Sequence, residues 1–191
     1  SIFEAGVDEA GRGSLAGPVT AAAVILPKNY KNDYLNDSKK LSEKKRIELR
    51  YVIENDSIDY AVCSIAPATI DKINILNSTF KAMHGALNKL KVIPEFIIVD
   101  GNKFKKFKNI NYKCIVKGDS KYQNIAAASI LAKTYRDLYM VEQHNRFPNF
   151  GWDRNKGYGT KFHINSIFKH GLTILHRKSF TIKKSQIKLE L

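Results

Sequence analysis

Apolar and polar positions along the chain predict strands in its first two thirds. Segments 2–7 and 19–26 read as paired strands, and the second is rich in small residues that would let a helix pack closely. Apolar runs predict two further strands over residues 60–65 and 96–100. Another strand is expected to include Ile115 and Val116 and to stop at the Lys-Gly-Asp sequence that follows. The turns between these strands hold most of the residues that could carry chemistry.

Helical spacing separates and follows these strands. Helices are predicted over about residues 43–54, 78–90, 123–144 and 161–169. Ser42 and Thr160 are the predicted N-caps of the first and last of them, and Pro67 is expected to open a short turn before the second. Strands first, and then strands alternating with helices, indicate an α/β domain with a mixed sheet.

Length and composition agree with one soluble unit. The chain has 191 residues, 43% of them hydrophobic, and no linker rich in Pro, Gly or Ser divides it. We therefore expect residues 1–191 to form a single catalytic domain that includes a helical segment at about 145–191. No apolar run approaches the roughly 20 residues that span a bilayer, and the first residues lack the basic start of a signal peptide. We expect a cytoplasmic monomer without a membrane partner.

The charge balance predicts a polyanionic partner. The formal net charge is +14, from 32 Lys and Arg against 18 Asp and Glu, although solubility alone also explains an excess of lysine. The distribution of the charged residues favours a polyanionic partner over solubility, because the segment between Gly101 and Gly118 combines aromatic residues with lysines and contains no acid. Its lysines are Lys103, Lys105, Lys106, Lys108, Lys113 and Lys117. The segment is predicted to be a phosphate-binding face or a solvated basic loop beside the site.

The run Gly-Val-Asp-Glu-Ala-Gly-Arg-Gly at residues 6–13 sets two adjacent carboxylates before a glycine-rich loop. Neighbouring acids repel unless a cation lies between them, and a loop with two glycines can bring backbone N–H groups close to an anion. The run therefore implies a metal and a phosphate together. A charged turn that closes a hairpin would explain the Asp-Glu pair alone, but it does not explain the glycines and the arginine.

Asp8, Asp100 and Asp119 each follow an apolar run, at the end of a strand where open α/β sheets place ligand-binding side chains. Because side chains alternate across a strand, Asp8 and Glu9 can face one site only where the strand bends or ends, which the following glycines permit. Four converging carboxylates repel without cations, and oxygen ligands select Mg²⁺ or Mn²⁺. A turn or N-cap role explains each aspartate singly but not the whole group.

The order of the motifs resembles that of the prokaryotic type 2 ribonucleases H, specifically the ribonuclease HII family. After the run 6–26, the matching sequences are DSKKL at 37–41, IIVDG at 97–101, VKGDS at 116–120, AAASILAK at 126–133, KGYGT at 156–160 and HRKSF at 176–180. The resemblance covers almost the whole chain. Ser14 departs from the proline associated with its place, but a serine there can hold a loop and contact phosphate.

The resemblance implies a ribonuclease H-like fold, with a mixed five-stranded sheet flanked by helices and a small helical C-terminal extension. It also implies two-metal hydrolysis of RNA within a hybrid or mixed duplex, which leaves 5′-phosphate and 3′-hydroxyl ends. The family's four metal-binding acids are matched by Asp8, Glu9, Asp100 and Asp119. Asp137 competes for the fourth place, but a helical salt bridge to Lys133 would explain it, so we choose Asp119.

Substrate recognition needs a contact with the 2′-hydroxyl, which separates RNA from DNA. The resemblance assigns Gly11, Arg12 and Gly13 to that hydroxyl and the adjacent phosphate. Tyr158 matches the family's tyrosine that stacks on the next sugar, although a Gly-Tyr-Gly sequence alone more often forms a turn. Further phosphate-binding candidates, which ordinary surface charge explains equally well, are Ser129, Lys133, Lys39 and Lys40. The irregular spacing of His163, His170 and His176 predicts structural or phosphate-adjacent roles.

The leading interpretation is an endonuclease that cuts 5′ of a ribonucleotide in duplex DNA and also cuts longer RNA/DNA hybrids. Its implied role is the removal of misincorporated ribonucleotides and primer remnants. One alternative is a ribonuclease HIII-like enzyme, whose extra N-terminal domain is not expected here because the acids begin at Asp8. The other is a non-catalytic module that binds hybrids through its basic face, which would gain nothing from clustered negative charge beside phosphates.

Overall fold

A five-stranded mixed sheet forms the centre of the computed structural model, which describes residues 3–35 and 41–182. The strands are β1 (Glu4–Ala10), β2 (Val19–Ile25), β3 (Asp59–Ile65), β4 (Phe96–Asp100) and β5 (Asn111–Ile115). Their spatial order is β3-β2-β1-β4-β5. The central strand β1 pairs antiparallel with β2 and parallel with β4, so the predicted mixed sheet is confirmed.

Five helices surround the sheet in the described ranges. They are α1 (Glu43–Asp56), α2 (Pro67–Lys89), α3 (Gln123–Arg146), α4 (Trp152–Asn155) and α5 (Lys161–His170). The predicted N-caps are confirmed, because the Ser42 hydroxyl accepts the N–H of Lys45 and the Thr160 hydroxyl accepts the N–H of His163. None of these helices is long and apolar enough to cross a membrane.

The small residues of β2 bring helices close to both faces of the sheet. Ala21 and Ala23 belong to the core beneath α2, whereas Ala22 and Val24 belong to the core beneath α1 and α3. On β1, a Cβ atom at Gly6 would collide with the backbone at the start of α3. Helices therefore cover both faces of the sheet with apolar side chains, and polar side chains can meet at the end of the sheet.

The strand β1 continues past its predicted end at Val7. Its pairing with β2 runs from Gly6 opposite Val24 to Ala10 opposite Thr20. The expectation that the strand bends or ends at its two acids is therefore wrong. The antiparallel ladder keeps both acids within the strand, and the chain turns only at Gly11, where φ is 88°.

The helix α2 also begins earlier than predicted. Pro67 is its first residue rather than the start of a separate turn, since a proline there lacks only an N–H that has no acceptor within the helix. Asn74, with φ 66° and ψ 167°, interrupts the helix. The Asn74 side chain then caps the second part by accepting the N–H of Asn77 at 3.0 Å. This interruption explains why the spacing predicted only the later part.

The C-terminal helical extension packs against the loop that follows β1. It contains the 3₁₀ turn Pro148–Phe150, α4 and α5. Its apolar core consists of Ala16, Met140, Phe150, Trp152, Ile167 and Leu175. Because Ala16 comes from the loop after β1 and Met140 from α3, the extension and the loop support each other.

Candidate active site

Three carboxylates lie at the end of the sheet where β1 and β4 run side by side. Val7 is paired with Val99, so the next residues, Asp8 and Asp100, project to the same face of the sheet. Glu9 projects to the opposite face, but it lines a pocket of about 100 Å³ together with Asp100. The sheet thus places three of the four predicted metal ligands at the same end of two adjacent parallel strands.

The electrostatics of the site show how close these acids are. The pKa of Asp8 is raised well above its ordinary value by burial and by repulsion from Glu9 and Asp100. The pKa of Glu9 is also raised, mainly by burial, against the attraction of Arg12, whose Nη1 lies 3.3 Å from Glu9 Oε1. A buried group of like charges gains stability when a cation binds beside it.

Asp119 lies in a turn next to Asp100, in a different geometry from the one predicted. The strand β5 ends at Ile115, and Asp119 lies beyond it in the 3₁₀ turn Gly118–Ser120. The prediction that Asp119 lies at the end of a strand is therefore wrong. Lys117, with φ 55°, turns the chain out of the sheet direction before this turn. Asp100 Oδ1 accepts the N–H of Gly118 at 2.7 Å, which ties the turn of Asp119 to the carboxylate group.

The donor set fits a hard divalent cation. Carboxylate oxygens are the ligands that Mg²⁺ and Mn²⁺ prefer. The raised pKa of Asp8 reflects burial first and then repulsion from its neighbours, and such a cation would relieve the repulsion. Within residues 3–35 and 41–182, however, no three His, Cys, Asp or Glu side chains are already gathered into a metal-binding group. The four carboxylates that the sequence predicts to converge are therefore not fully gathered in this structure.

Four of the eight predicted substrate-binding residues share a second pocket, of about 310 Å³, on the α3 side of Glu9. The predicted residues that line it are Gly11, Ser129, Lys133 and Tyr158. Arg46 of α1 lines the same pocket and was missed, because nothing distinguishes it from the neighbouring basic residues in the sequence. Lys39 and Lys40 lie outside the described residues.

Two of the phosphate-binding candidates already contact carboxylates. The hydroxyl of Ser129 is hydrogen-bonded to Asp8 and lowers its pKa, although burial and repulsion outweigh this effect. The Nζ of Lys133 lies 2.9 Å from the carboxylate of Asp137, which confirms the salt bridge predicted for that pair. The same Nζ lies 5.4 Å from the centre of the Tyr158 ring, on the pocket wall. Contacts of Ser129 and Lys133 with phosphate remain predictions.

The loop after β1 is held from inside by two buried arginines. Arg177 donates to the carbonyl oxygens of Gly11 and Arg12, at 2.6 and 2.8 Å. Arg136 donates to the hydroxyl oxygen of Ser14 at 2.6 Å, and that hydroxyl donates to the Gly11 carbonyl. Ser14 is fully buried, so it holds the loop, as expected, but it does not offer its hydroxyl to a phosphate at the surface.

The lysine-rich segment lies beside the carboxylates. Lys103 lines the small pocket together with Glu9 and Asp100. Phe104 and Phe107 are buried and anchor this segment, whereas Tyr112 is 38% exposed. All six lysines of this segment are exposed, and we call them the basic rim.

A larger cavity, of about 750 Å³, lies at the other end of the sheet. It is lined by residues at the beginnings of β1 and β4, including Glu4 and Phe96, and by none of the predicted site residues. Cavity size therefore does not mark the predicted site.

A buried histidine pair positions the backbone of Tyr158. The indole N–H of Trp152 donates to His163 Nε2 at 3.0 Å, so Nδ1 of His163 carries its proton and donates to the Tyr158 carbonyl at 2.9 Å. His176 accepts the N–H of Thr173 through Nδ1, which leaves its Nε2–H facing His163 Nε2 at 3.1 Å. Both rings are neutral in this network, which confirms a structural role for His163 and His176.

The neutral state of His176 makes stability depend on pH. Burial, with a contribution from His163, lowers the pKa of His176 from 6.5 to about 4. The stabilising contribution of the neutral ring is therefore complete above pH 6.5 and is lost as the pH falls from 6.5 toward 4. We expect this group to lower the free energy of unfolding by up to about 3 kcal/mol over that range, measured by urea denaturation.

The matched control is His176→Gln, which cannot take up a proton. Its stability should change less between pH 7 and pH 4 than that of the wild type, even if it is lower throughout. Identical pH dependence in the two proteins would contradict the assignment of the effect to His176.

Comparisons with known proteins identify the family of this chain. The family model for ribonuclease HII matches residues 5–183. The chain belongs to the ribonuclease HII family. It is 57% identical over 187 residues to ribonuclease HII of Parabacteroides distasonis, covering 98% of this chain and 94% of the relative. It is 56% identical over 181 residues to ribonuclease HII of Bacteroides fragilis, covering 95% and 90%.

Solved structures share the fold of this chain. Ribonuclease H2 from Pyrococcus horikoshii OT3 is similar with a TM-score of 0.78 and 25% identity, over 94% of each chain. Bst-RNase HIII, solved in complex with Mn²⁺, shares the fold with a TM-score of 0.69 and 18% identity, over 94% of this chain and 67% of that one. Membership of the ribonuclease HII family makes the chain a metal-dependent endoribonuclease that acts on the RNA of RNA/DNA hybrids.

Proposed function

We propose that this ribonuclease cuts on the 5′ side of a single ribonucleotide embedded in duplex DNA, as well as within longer hybrids, and leaves 5′-phosphate and 3′-hydroxyl ends. The observation that carries the proposal is the shared pocket of Glu9, Gly11 and Tyr158. A carboxylate of the hydrolytic group, a loop that can contact a 2′-hydroxyl and an aromatic ring that can stack on the next sugar all line it.

The residues that would hold the metal are Asp8, Glu9, Asp100 and Asp119. When bound, Mg²⁺ or Mn²⁺ supplies two-metal chemistry, in which water is activated and charge on the phosphate and leaving 3′ oxygen is neutralised. The chain orients the ligands, since Asp8 accepts the N–H of Glu9 at 2.7 Å and is hydrogen-bonded to Ser129. No side chain is required to act as a nucleophile in this mechanism.

The substrate is bound by charge and by shape. Arg12 is half exposed and contacts Glu9, so its guanidinium can reach a phosphate that approaches the carboxylates. Lys103 and the other lysines of its segment extend the positive surface along the path of a duplex. The basic rim contributes affinity for any duplex, whereas the Gly11–Gly13 loop and Tyr158 distinguish the ribonucleotide. General affinity for duplexes combined with specific recognition of one ribonucleotide suits the removal of isolated ribonucleotides from DNA.

The experiment that tests the proposal compares three duplexes of the same sequence. One is DNA throughout, one carries a single ribonucleotide, and one is an RNA/DNA hybrid. With Mg²⁺ and Mn²⁺ tested separately, we expect cleavage 5′ of the ribonucleotide, a 3′-hydroxyl product, no cleavage of all-DNA duplex, and loss of activity in EDTA. Cleavage of the hybrid without cleavage at the single ribonucleotide would overturn the finer proposal.

Tyr158→Ala is expected to impair cleavage at a single ribonucleotide more than cleavage of a uniform hybrid. The substitution removes a stacking contact worth roughly 1 to 3 kcal/mol, by analogy with bases stacked on aromatic rings. The ring is positioned by cations, with Lys133 Nζ at 5.4 Å and Arg136 Cζ at 5.2 Å from its centre. The measurement is kcat/KM on both substrates. Tyr158→Phe keeps the ring and serves as the control, and equal losses on both substrates would contradict a role in reading the junction.

A further inference from the structure

Arg177 is a buried cation that contacts neutral backbone oxygens. It is 2% exposed, and it donates through Nη2 to Gly11, through Nη1 to Arg12 and through Nε to Gly17, at 2.6, 2.8 and 3.0 Å. Burial and repulsion from Arg136 lower its pKa to about 9. A buried charge of this kind is costly, and an apolar side chain of similar size would avoid the cost. The geometry of its contacts indicates what the charge is used for.

These contacts determine the orientation of two successive peptide groups. The peptide bonds of the loop are trans, so each carbonyl points away from the N–H of the following residue. Because the carbonyls of Gly11 and Arg12 point inward to Arg177, the N–H groups of Arg12 and Gly13 point outward. Two adjacent backbone donors therefore face away from the protein interior on the same side of the loop.

The two sides of this loop differ in how much space they offer. A Cβ atom at Gly11, where φ is 88°, would collide with the side chain of Arg136, so that position is closed by the protein. A Cβ atom at Gly13 would meet nothing within 4 Å, so that position opens to solvent. A sugar or phosphate can therefore approach the loop at Gly13.

We propose that Arg177 is a positioning residue that holds the Arg12 and Gly13 N–H groups toward the substrate and thereby sets the preference for ribose over deoxyribose. This inference rests on the proposed function, because it assigns the loop to the sugar of the ribonucleotide. The planar guanidinium can hold three carbonyls in fixed directions. A lysine would keep the charge but could not reproduce that fork, so the peptide groups could rotate.

The test compares wild type with Arg177→Lys in Ca²⁺, which permits binding measurements without cleavage in the proposed assay. Affinity is measured for two duplexes that differ only by one 2′-hydroxyl. We expect the ratio of the two affinities to fall about tenfold in Arg177→Lys, as for loss of one well-placed hydrogen bond, while affinity for the all-DNA duplex changes little. A structural role alone would lower the melting temperature and leave this ratio unchanged.

The control is Arg50→Lys, which alters a partly buried ion pair between Arg50 and Glu54 (2.7 Å) on α1 without touching the loop. It should lose stability and keep the ribose preference. If Arg177→Lys does not fold, Arg177→Gln, which removes the buried charge and keeps one donor, is measured in the same way. Amide signals of Arg12 and Gly13 in wild type provide a test without substitution, since they should shift with the ribose duplex more than with the DNA duplex.

The outcomes separate the inference from the proposed function. A wild type without ribose preference would overturn the proposed function and this inference with it. A wild type with that preference, beside a folded Arg177→Lys or Arg177→Gln that keeps the same ratio, would overturn the inference alone. Equal amide shifts with both duplexes would also overturn it.

Discussion

Asp8→Asn is expected to lower the cleavage rate by orders of magnitude and to raise the melting temperature of the metal-free protein. The lost activity follows from removal of one anionic metal ligand. The gained stability follows from removal of a buried charge, since Asp8 is 6% exposed and faces Glu9 and Asp100. The asparagine oxygen can still accept the N–H of Glu9 and the hydroxyl hydrogen of Ser129, so the fold should be kept.

The pH dependence of this gain has a defined sign. Asp8 has a raised pKa in the folded protein, so the free energy of unfolding falls as the pH rises from its unfolded pKa through its folded pKa. The stability advantage of Asp8→Asn should therefore be present at neutral pH and disappear in acid. A gain of about 1 kcal/mol would raise the melting temperature of a chain of this size by roughly 2–4 °C.

The measurements are turnover and thermal unfolding, each with and without Mg²⁺. Wild type should be stabilised by Mg²⁺ more than Asp8→Asn. Asp33→Asn, which removes an exposed carboxylate, is the control and should change neither property by much. Turnover near that of wild type in folded Asp8→Asn would refute the assignment of Asp8 as a metal ligand.

The second large effect separates Asp119 from Asp137. Asp119→Asn is expected to impair metal-dependent cleavage severely, because the turn that carries Asp119 is tied to Asp100 through Gly118. Asp137→Asn is expected to keep most of the activity and to lose stability, because Asp137 forms an ion pair with Lys133 on α3. The two substitutions remove the same charge, so each serves as the other's control.

The structure changes the expected size of the Asp137 effect. An exposed salt bridge would contribute at most a few tenths of a kcal/mol. Asp137 is 7% exposed and lies 3.9 Å from the buried Arg136, so its loss should cost about 1–3 kcal/mol. Turnover and melting temperature of both variants decide the matter. If Asp137→Asn is stable but inactive and Asp119→Asn is active, Asp137 and not Asp119 is the fourth metal ligand.

Local signals account for what could be predicted of the fold. The N-caps at Ser42 and Thr160 were identified correctly because a capping hydroxyl acts within its own helical turn. The later part of α2 was identified because its apolar spacing is continuous. Its first part was missed because the Asn74 conformation interrupts that spacing. Strand ends were less accurate, since the length of β1 depends on its partner β2.

By itself, the sequence determined the family and the chemical class of this protein, because ordered motifs of acids, glycines and lysines are local and can be read directly. Only the tertiary structure decided how those motifs meet. It placed Asp8 and Glu9 on opposite faces of one strand and Asp119 in a turn beyond β5. It also placed Arg177 beneath the Gly11 carbonyl, a contact between residues far apart in the chain. Such contacts follow from packing and strand pairing, which no local pattern encodes.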